Sequence, residues 1–290
     1  MILNTGTRTD IPAFFSKWFL NRIEEGFVIS KNPYNNQMYK YNFNPKTIDV
    51  MCFCSKNPRP LVKNLDKLSD YRQFWFVTIT PYGRDIEVNV PDYKNVMKTF
   101  KELSETVGIH GVSWRYDPIF ITDKYSIDFH IEKFEEMVNE HTKGVIMNSP
   151  NNPSGAVYSE GTIKKLAEIL TKKSEEYGHP IFIISDEPYR EVVYDGAEVP
   201  YVPNYYDNTL VCYSYSKSFS LAGERIGYIV VPSEVTEFGC IYAAIAGAAR
   251  VLTHVNAPSL FQKVVARCAG KPSDISIYEK NRELLYSGLV

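Results

Sequence analysis

The chain alternates short apolar, β-branched runs with stretches of helical period, and this alternation most restricts what it can fold into. Strand-like runs lie at 48–54, 74–80 and 111–116, and again at 144–148, 181–185, 210–213 and 225–231. Helical patterns lie at 92–107 and 126–140, the second with Ile127, Ile131, Phe134 and Val138 on one face. Another, capped by Ser159 and ended near Gly178, carries Ile163, Leu166, Ala167 and Leu170 on one face. A helix rich in small residues follows over 235–252, with Ala243, Ala244, Ala246 and Gly247 suited to close packing. Strands that take turns with helices specify an α/β fold built on parallel sheets. Ahead of this pattern, Asp10 caps a helix with Phe14, Phe15, Trp18, Phe19 and Ile23 that ends at Gly26. A β-hairpin of 27–30 and 38–43 follows, across a turn of Asn32, Pro33, Asn35 and Asn36.

Ligands of α/β proteins sit at the C-terminal ends of the strands, so the polar residues placed there are the candidates for function. In the first half these are Arg8, Lys56, Thr80 with Tyr82, and Arg115 with Asp117, arranged as in the early strands of a βα barrel. In the second half, run 144–148 leads into Ser149-Pro150-Asn151-Asn152-Pro153-Ser154-Gly155, and run 181–185 delivers Asp186-Glu187-Pro188-Tyr189-Arg190. Run 210–213 delivers Ser214-Tyr215-Ser216-Lys217, with Arg225 beyond it. The chemistry of these three clusters is mutually consistent. A lysine can form a Schiff base with an aldehyde, while hydroxyl and guanidinium groups are donors for a phosphate. A carboxylate keeps a pyridine nitrogen protonated, so that the ring can act as an electron sink. The combination points to pyridoxal phosphate.

Here the sequence resembles known families. Asn152-Pro153-Ser154-Gly155, Asp186-Glu187-Pro188-Tyr189 and Ser214-Tyr215-Ser216-Lys217 followed by Arg225 resemble the signature of class I aminotransferases, fold-type I pyridoxal-phosphate enzymes. The resemblance implies that Lys217 holds the cofactor covalently and shuttles the proton at the substrate Cα. It implies that Asp186 pairs with the ring nitrogen, that Asn152 and Tyr189 bond the ring hydroxyl, and that Ser214, Ser216 and Arg225 bind the phosphate. The implied reaction moves an amino group between an α-amino acid and a 2-oxo acid, in a homodimer. Residues 143–290 match only the central part of such an enzyme. The glycine-rich phosphate loop, the aromatic residue stacked on the ring and the arginine for the substrate carboxylate have no counterpart here, which makes an incomplete large domain of doubtful activity the expectation.

Residues 1–142 resemble something else. Asn4-Thr5-Gly6-Thr7-Arg8-Thr9-Asp10-Ile11-Pro12, Phe53-Cys54-Ser55-Lys56-Asn57-Pro58, Thr78-Ile79-Thr80-Pro81-Tyr82-Gly83 and Trp114-Arg115-Tyr116-Asp117-Pro118-Ile119 are similar to the opening part of a bacterial domain-of-unknown-function family, itself similar to radical-SAM-type barrels. The fold expected is thus a partial βα-barrel-like half joined to a partial aminotransferase large-domain sheet with flanking helices. Two alternatives stay open. One is a non-catalytic fusion of two gene fragments joined near 138–144; the other is a radical-type enzyme fragment whose cluster would begin at Cys52 and Cys54.

Composition narrows the partners. A net charge of -2 over 290 residues provides no basic face for nucleic acid. The weakly polar run 241–249 is too short to span a bilayer. Arg8 and Asp10 are incompatible with a signal-peptide core, and five cysteines, odd in number and mostly far apart, fit a reducing compartment, so a cytoplasmic protein is expected. Cys52 and Cys54 share one face of a strand, but no Cys or His pair joins them at ligand spacing, so no metal site is expected.

Overall fold

The computed structural model describes residues 1–5, 9–32, 35–271 and 273–289. Arg8 of the first candidate cluster and Pro33 of the expected hairpin turn lie outside the described residues. The chain divides into two compact units, Met1–Ser126 and Ile127–Val290.

The first unit holds β1 (Ile2–Asn4), α1 (Ile11–Phe14), α2 (Ser16–Glu25), β2 (Phe27–Lys31), β3 (Met38–Asn42), β4 (Val50–Ser55), α3 (Arg59–Val62), β5 (Gln73–Thr78), α4 (Tyr93–Val107) and β6 (Val112–Arg115). Strands β1-β4-β5-β6 form an open parallel sheet in that order, in the register Asn4↔Cys52, Phe53↔Trp75 and Thr78↔Arg115. The period of two in β4 and β5 buries Met51, Phe53, Trp75 and Val77 on one face. There the Phe53 and Trp75 rings stack at 4.2 Å, and Phe19 of α2 meets Phe53 edge-on at 5.6 Å. The other face carries Cys54 and Phe76, both exposed. Strands β2 and β3 pair as the expected hairpin, Phe27 opposite Asn42 and Lys31 opposite Met38.

The single helix expected after Asp10 is divided. Asp10 caps α1 through a bond from Ala13 N (2.9 Å), but Phe15 leaves helical geometry (φ -127, ψ 20) and α2 starts afresh at Ser16. Across the break Phe14, Phe15 and Trp18 are exposed, while Pro12 of α1 and Phe19 and Leu20 of α2 are buried.

The second unit runs α5 (Ile127–Met137), β7 (Gly144–Asn148), α6 (Glu160–Tyr177), β8 (Phe182–Asp186), β9 (Thr209–Ser214), α7 (Tyr215–Ser218), β10 (Gly227–Val230), α8 (Phe238–Val251), α9 (Ser259–Cys268) and α10 (Ser276–Leu289). Strands β7, β8 and β9 are parallel neighbours, and β10 adds antiparallel to β9. The Ser159 hydroxyl accepts from Thr162 N (3.2 Å) to start α6, and Gly178 ends it at φ +69, a conformation glycine adopts without steric cost.

Helix α6 covers one face of this sheet. Met147, Ile163, Leu170, Ile181 and Ile183 are buried together with Val202 and Tyr206, each such apolar side chain contributing roughly 1.5–3 kcal/mol. The opposite face carries the pairs Ile146↔Ile184↔Leu210 and Asn148↔Asp186↔Cys212, with Ile146 71% exposed. The two four-stranded sheets remain separate. Helices α8, α9 and α10 bury none of their described residues, so the close packing that the small residues of α8 suggest is not found among the described residues. No helix among the described residues is long and apolar enough to cross a membrane.

Candidate active site

The site in the second unit is built where β7, β8 and β9 end. Pairing in register sets Asn148 beside Asp186, and Asp186 beside Cys212. Both Asn148 and Asp186 are half-buried on the face that α6 does not cover. Burial alone pushes the Asp186 carboxyl above its ordinary range, and no cation partner offsets this among the described residues.

After Asp186 the chain is held from behind. Glu187 is 1% exposed; its carboxylate accepts from the Ser185 hydroxyl (2.7 Å) and from the Arg190 guanidinium (2.7 Å). Arg190 also donates to the carbonyls of Val199 (2.9 Å) and Pro200 (3.4 Å) and lies over the Tyr201 ring. A buried carboxylate thus fixes both ends of the 187–201 loop, and with them the position of Tyr189.

Tyr189 is where the sequence-predicted residues meet. Its hydroxyl accepts from Asn152 Nδ2 (2.9 Å), and Lys217 Nζ stands 5.4 Å from the centre of its ring. Lys217 lies on the one-turn helix α7, where Ser214 is the cap: Ser216 N donates to Ser214 Oγ (3.2 Å), and the two hydroxyls are 2.6 Å apart. The base of α7 is fixed by Tyr213, whose phenol donates to Glu191 (2.8 Å), lies 2.7 Å from the Ser218 hydroxyl and is held above its ordinary range mainly by burial.

Arg225 is the exception. It takes a left-handed backbone (φ 53), is exposed, and bonds the Ala222 carbonyl (3.1 Å) rather than either serine. Its place in the chain is nonetheless set close to them, because Gly227 pairs with Ser214 and a Cβ at Gly227 would stand 2.4 Å from the Tyr213 carbonyl oxygen. Only glycine permits that approach.

Sequence reasoning missed Asn148 and Gly227 as parts of this site, and it named Glu187 and Arg190 in the strand-end cluster without giving them a role. Asn148 donates through Nδ2 to Asp186 O (3.0 Å) and Oδ2 (3.3 Å), while its Oδ1 accepts from Asn152 N (2.8 Å). A polar residue closing an apolar strand was the available signal.

The donor set fits pyridoxal phosphate. It offers a half-buried carboxylate lacking a cation, a lysine amine above an aromatic ring, a carboxamide–phenol pair and two adjoining hydroxyls.

The polar residues at the strand ends of the first unit meet each other instead. The Lys56 amine pairs with Glu87 and lies 3.4 Å from the Thr80 hydroxyl, which donates to the Glu87 carboxylate (2.9 Å). Arg115 pairs with Asp117 (2.7 Å), and Asp10 accepts from Ser55 Oγ (3.0 Å) and Lys56 N (2.8 Å). The Tyr82 hydroxyl donates to the Pro118 carbonyl (2.9 Å). No group of three or more potential metal ligands is found among the described residues.

Comparison with known proteins agrees with the two-part resemblance. The family described as "Domain of unknown function (DUF1848)" matches residues 2–149, and that described as "Aminotransferase class I and II" matches residues 97–289. A probable aspartate/prephenate aminotransferase of Aquifex aeolicus is 42% identical over 108 residues, 36% of this chain and 26% of that protein. A probable aspartate aminotransferase of Methanocaldococcus jannaschii is 38% identical over 120 residues, 41% of this chain and 29% of that protein. A solved aminotransferase from Eubacterium rectale is 52% identical with a TM-score of 0.57, the match covering 75% of this chain and 50% of that one. The chain spans half or less of the length of each of these proteins. Matches of this extent place the chain in two families: over residues 2–149 it belongs to the domain of unknown function DUF1848, and over residues 97–289 to the class I and II aminotransferases.

Proposed function

We propose that the second unit binds pyridoxal phosphate and serves amino-group transfer between an α-amino acid and a 2-oxo acid. The observation that carries this reading is the meeting of Asn152, Tyr189 and Lys217, with Asn152 tied through Asn148 to the half-buried Asp186. When bound, the cofactor supplies an electron sink for negative charge at the substrate Cα. Asp186 pairs with the protonated ring nitrogen, and this cation offsets the cost of burying the carboxylate. Asn152 Nδ2 and Tyr189 Oη bond the ring hydroxyl. The hydroxyls of Ser214 and Ser216 would bind the phosphate, and Arg225 would join them were its guanidinium released from the Ala222 carbonyl. Lys217 Nζ would hold the cofactor and, when free, would carry the proton to and from the substrate Cα.

The homodimer and the cytoplasmic location expected from the sequence belong to the same proposal. Support for the first is that α8–α10 bury no described residue within the chain, and for the second that all five cysteines are free thiols.

The test is made on the full chain with added pyridoxal phosphate. Wild type should acquire a visible absorbance that borohydride bleaches, leaving a mass adduct on the peptide containing Lys217; Lys217→Ala should acquire neither. L-Aspartate, named for two of the similar proteins, is the first amine donor to add. An adduct on another lysine, or an unchanged spectrum in Lys217→Ala, refutes the assignment.

A further inference from the structure

Among the half-buried polar groups at the strand ends, Asn148 has no part in the signature of the site, yet it touches two of the elements that form it. It closes β7, and register places it directly beside Asp186 at the end of β8. Its carboxamide uses both of its functions. Nδ2 donates to the backbone carbonyl (3.0 Å) and the side-chain Oδ2 (3.3 Å) of Asp186, and Oδ1 accepts from Asn152 N (2.8 Å) and, more weakly, from Asn151 Nδ2 (3.5 Å). Asn152 in turn reaches Tyr189 with its own side chain (2.9 Å). A planar amide is the short side chain that can donate on one side and accept on the other. An aspartate there would repel Asp186, and an aliphatic residue would leave both neighbours without a partner.

We infer that Asn148 is the positioning residue of the site: it orients the Asp186 carboxylate toward the ring nitrogen and, through the backbone of Asn152, sets the donor for the ring hydroxyl. The inference rests on the pyridoxal-phosphate reading of the site. Its physical content is that one side chain couples the two ends of the ring-binding apparatus, so that Asp186 and Asn152 move together or not at all. The bond to Oδ2 also favours the ionised carboxylate, acting against the effect of burial. Cys212, the register neighbour of Asp186 on β9, is neutral when protonated and has its own thiol pushed up by burial, so it does not perform this service.

Three proteins, used as full chains, test the idea: wild type, Asn148→Ala and Asn148→Asp. Two quantities are read in each, the titration of the Asp186 carboxyl by carbon-13 NMR without cofactor, and the dissociation constant for pyridoxal phosphate. Both variants should move the Asp186 titration upward, Asn148→Asp the further because it adds a like charge. Both should weaken cofactor binding by about tenfold or more, the scale of one lost charge-assisted hydrogen bond. Asn148→Asp keeps the acceptor for Asn152 N and the size of the side chain, so it keeps the test open should Asn148→Ala fold poorly. In an Asp186→Ala background the further loss on changing Asn148 should shrink to the share carried through Asn152. An Asp186 titration and a cofactor affinity unmoved by either variant would overturn the inference. Failure of the parent reading looks different: wild type would then form no adduct at Lys217, while the Asp186 titration would still respond to Asn148.

Discussion

The two units end their parallel strands in charged and hydroxyl residues alike, but they use them differently. In the first, the described charges are satisfied from within: Lys56 and Thr80 enclose Glu87, Arg115 takes Asp117, and Asp10 is consumed in capping α1 and holding Ser55 and the backbone of Lys56. In the second, neither Asp186 nor Lys217 has an ion-pair partner among the described residues: Asp186 meets the Asn148 carboxamide and Lys217 the Tyr189 ring. The position of a polar residue at a strand end therefore does not by itself mark a binding site. Charge left unmatched there is the stronger signal, because a half-buried group without an ionic partner is costly until something matches it.

The sharpest way to attack this contrast is the buried ion pair that lies behind the site in the second unit, Glu187 with Arg190. If the site is an open set of ligands on a closed support, that support must be expensive to remove. Glu187→Ala leaves Arg190 without its carboxylate, and should cost about 3 kcal/mol. Hydrogen exchange on β8 and β9 is the suitable measure. The three tryptophans, Trp18, Trp75 and Trp114, all belong to the first unit, so their emission should not change. A cost close to zero would mean that the loop carrying Tyr189 is held by something else.

A smaller effect compares the two lysines directly. Lys56→Met leaves Glu87, whose side chain is only 10% exposed, with Thr80 alone, and should lower the stability of the first unit by ~1–3 kcal/mol, read from tryptophan emission in urea. Lys217→Met removes an amine that meets only an aromatic ring, and without cofactor should change the stability of the second unit by about 1 kcal/mol or less. Equal losses would erase the distinction between the two clusters.

Much of this architecture was legible in the sequence where the signal is local. The bounds of β7, the Ser159 start and Gly178 end of α6, and the Asp92 start of α4 follow from caps and apolar period, and each is found. The split at Phe15 was not legible, since the apolar spacing of 14–23 continues through it. Strand β1 was not legible either, since three residues are too few to show an alternating pattern. The signature residues Asn152, Asp186, Tyr189, Ser214, Ser216 and Lys217 could be named from their order in the chain. The roles of Asn148, Glu187 and Gly227 could not, because they depend on cross-strand register and on burial, which appear only once β7, β8, β9 and β10 are side by side.

The smallest effect is the most diagnostic, because its sign changes with the ligand. Burial holds the Asp186 carboxyl above its ordinary range, so in the folded chain the proton is retained to higher pH than in the unfolded one. An acid of this kind contributes its full stability below its unfolded pKa and loses it as pH rises through the folded value. Asp186→Asn does not titrate. Without cofactor, wild type should therefore lose ground to the variant as pH rises through that window, leaving Asp186→Asn the more stable at neutral pH. Pyridoxal phosphate should reverse the order, since a protonated ring nitrogen matches the ionised carboxylate and not the amide. Denaturation of both proteins across pH, with and without cofactor, provides the measurement. A wild type at least as stable as Asp186→Asn at neutral pH without cofactor would show that the protein already neutralises Asp186 from within, and the second cluster would then be as self-sufficient as the first.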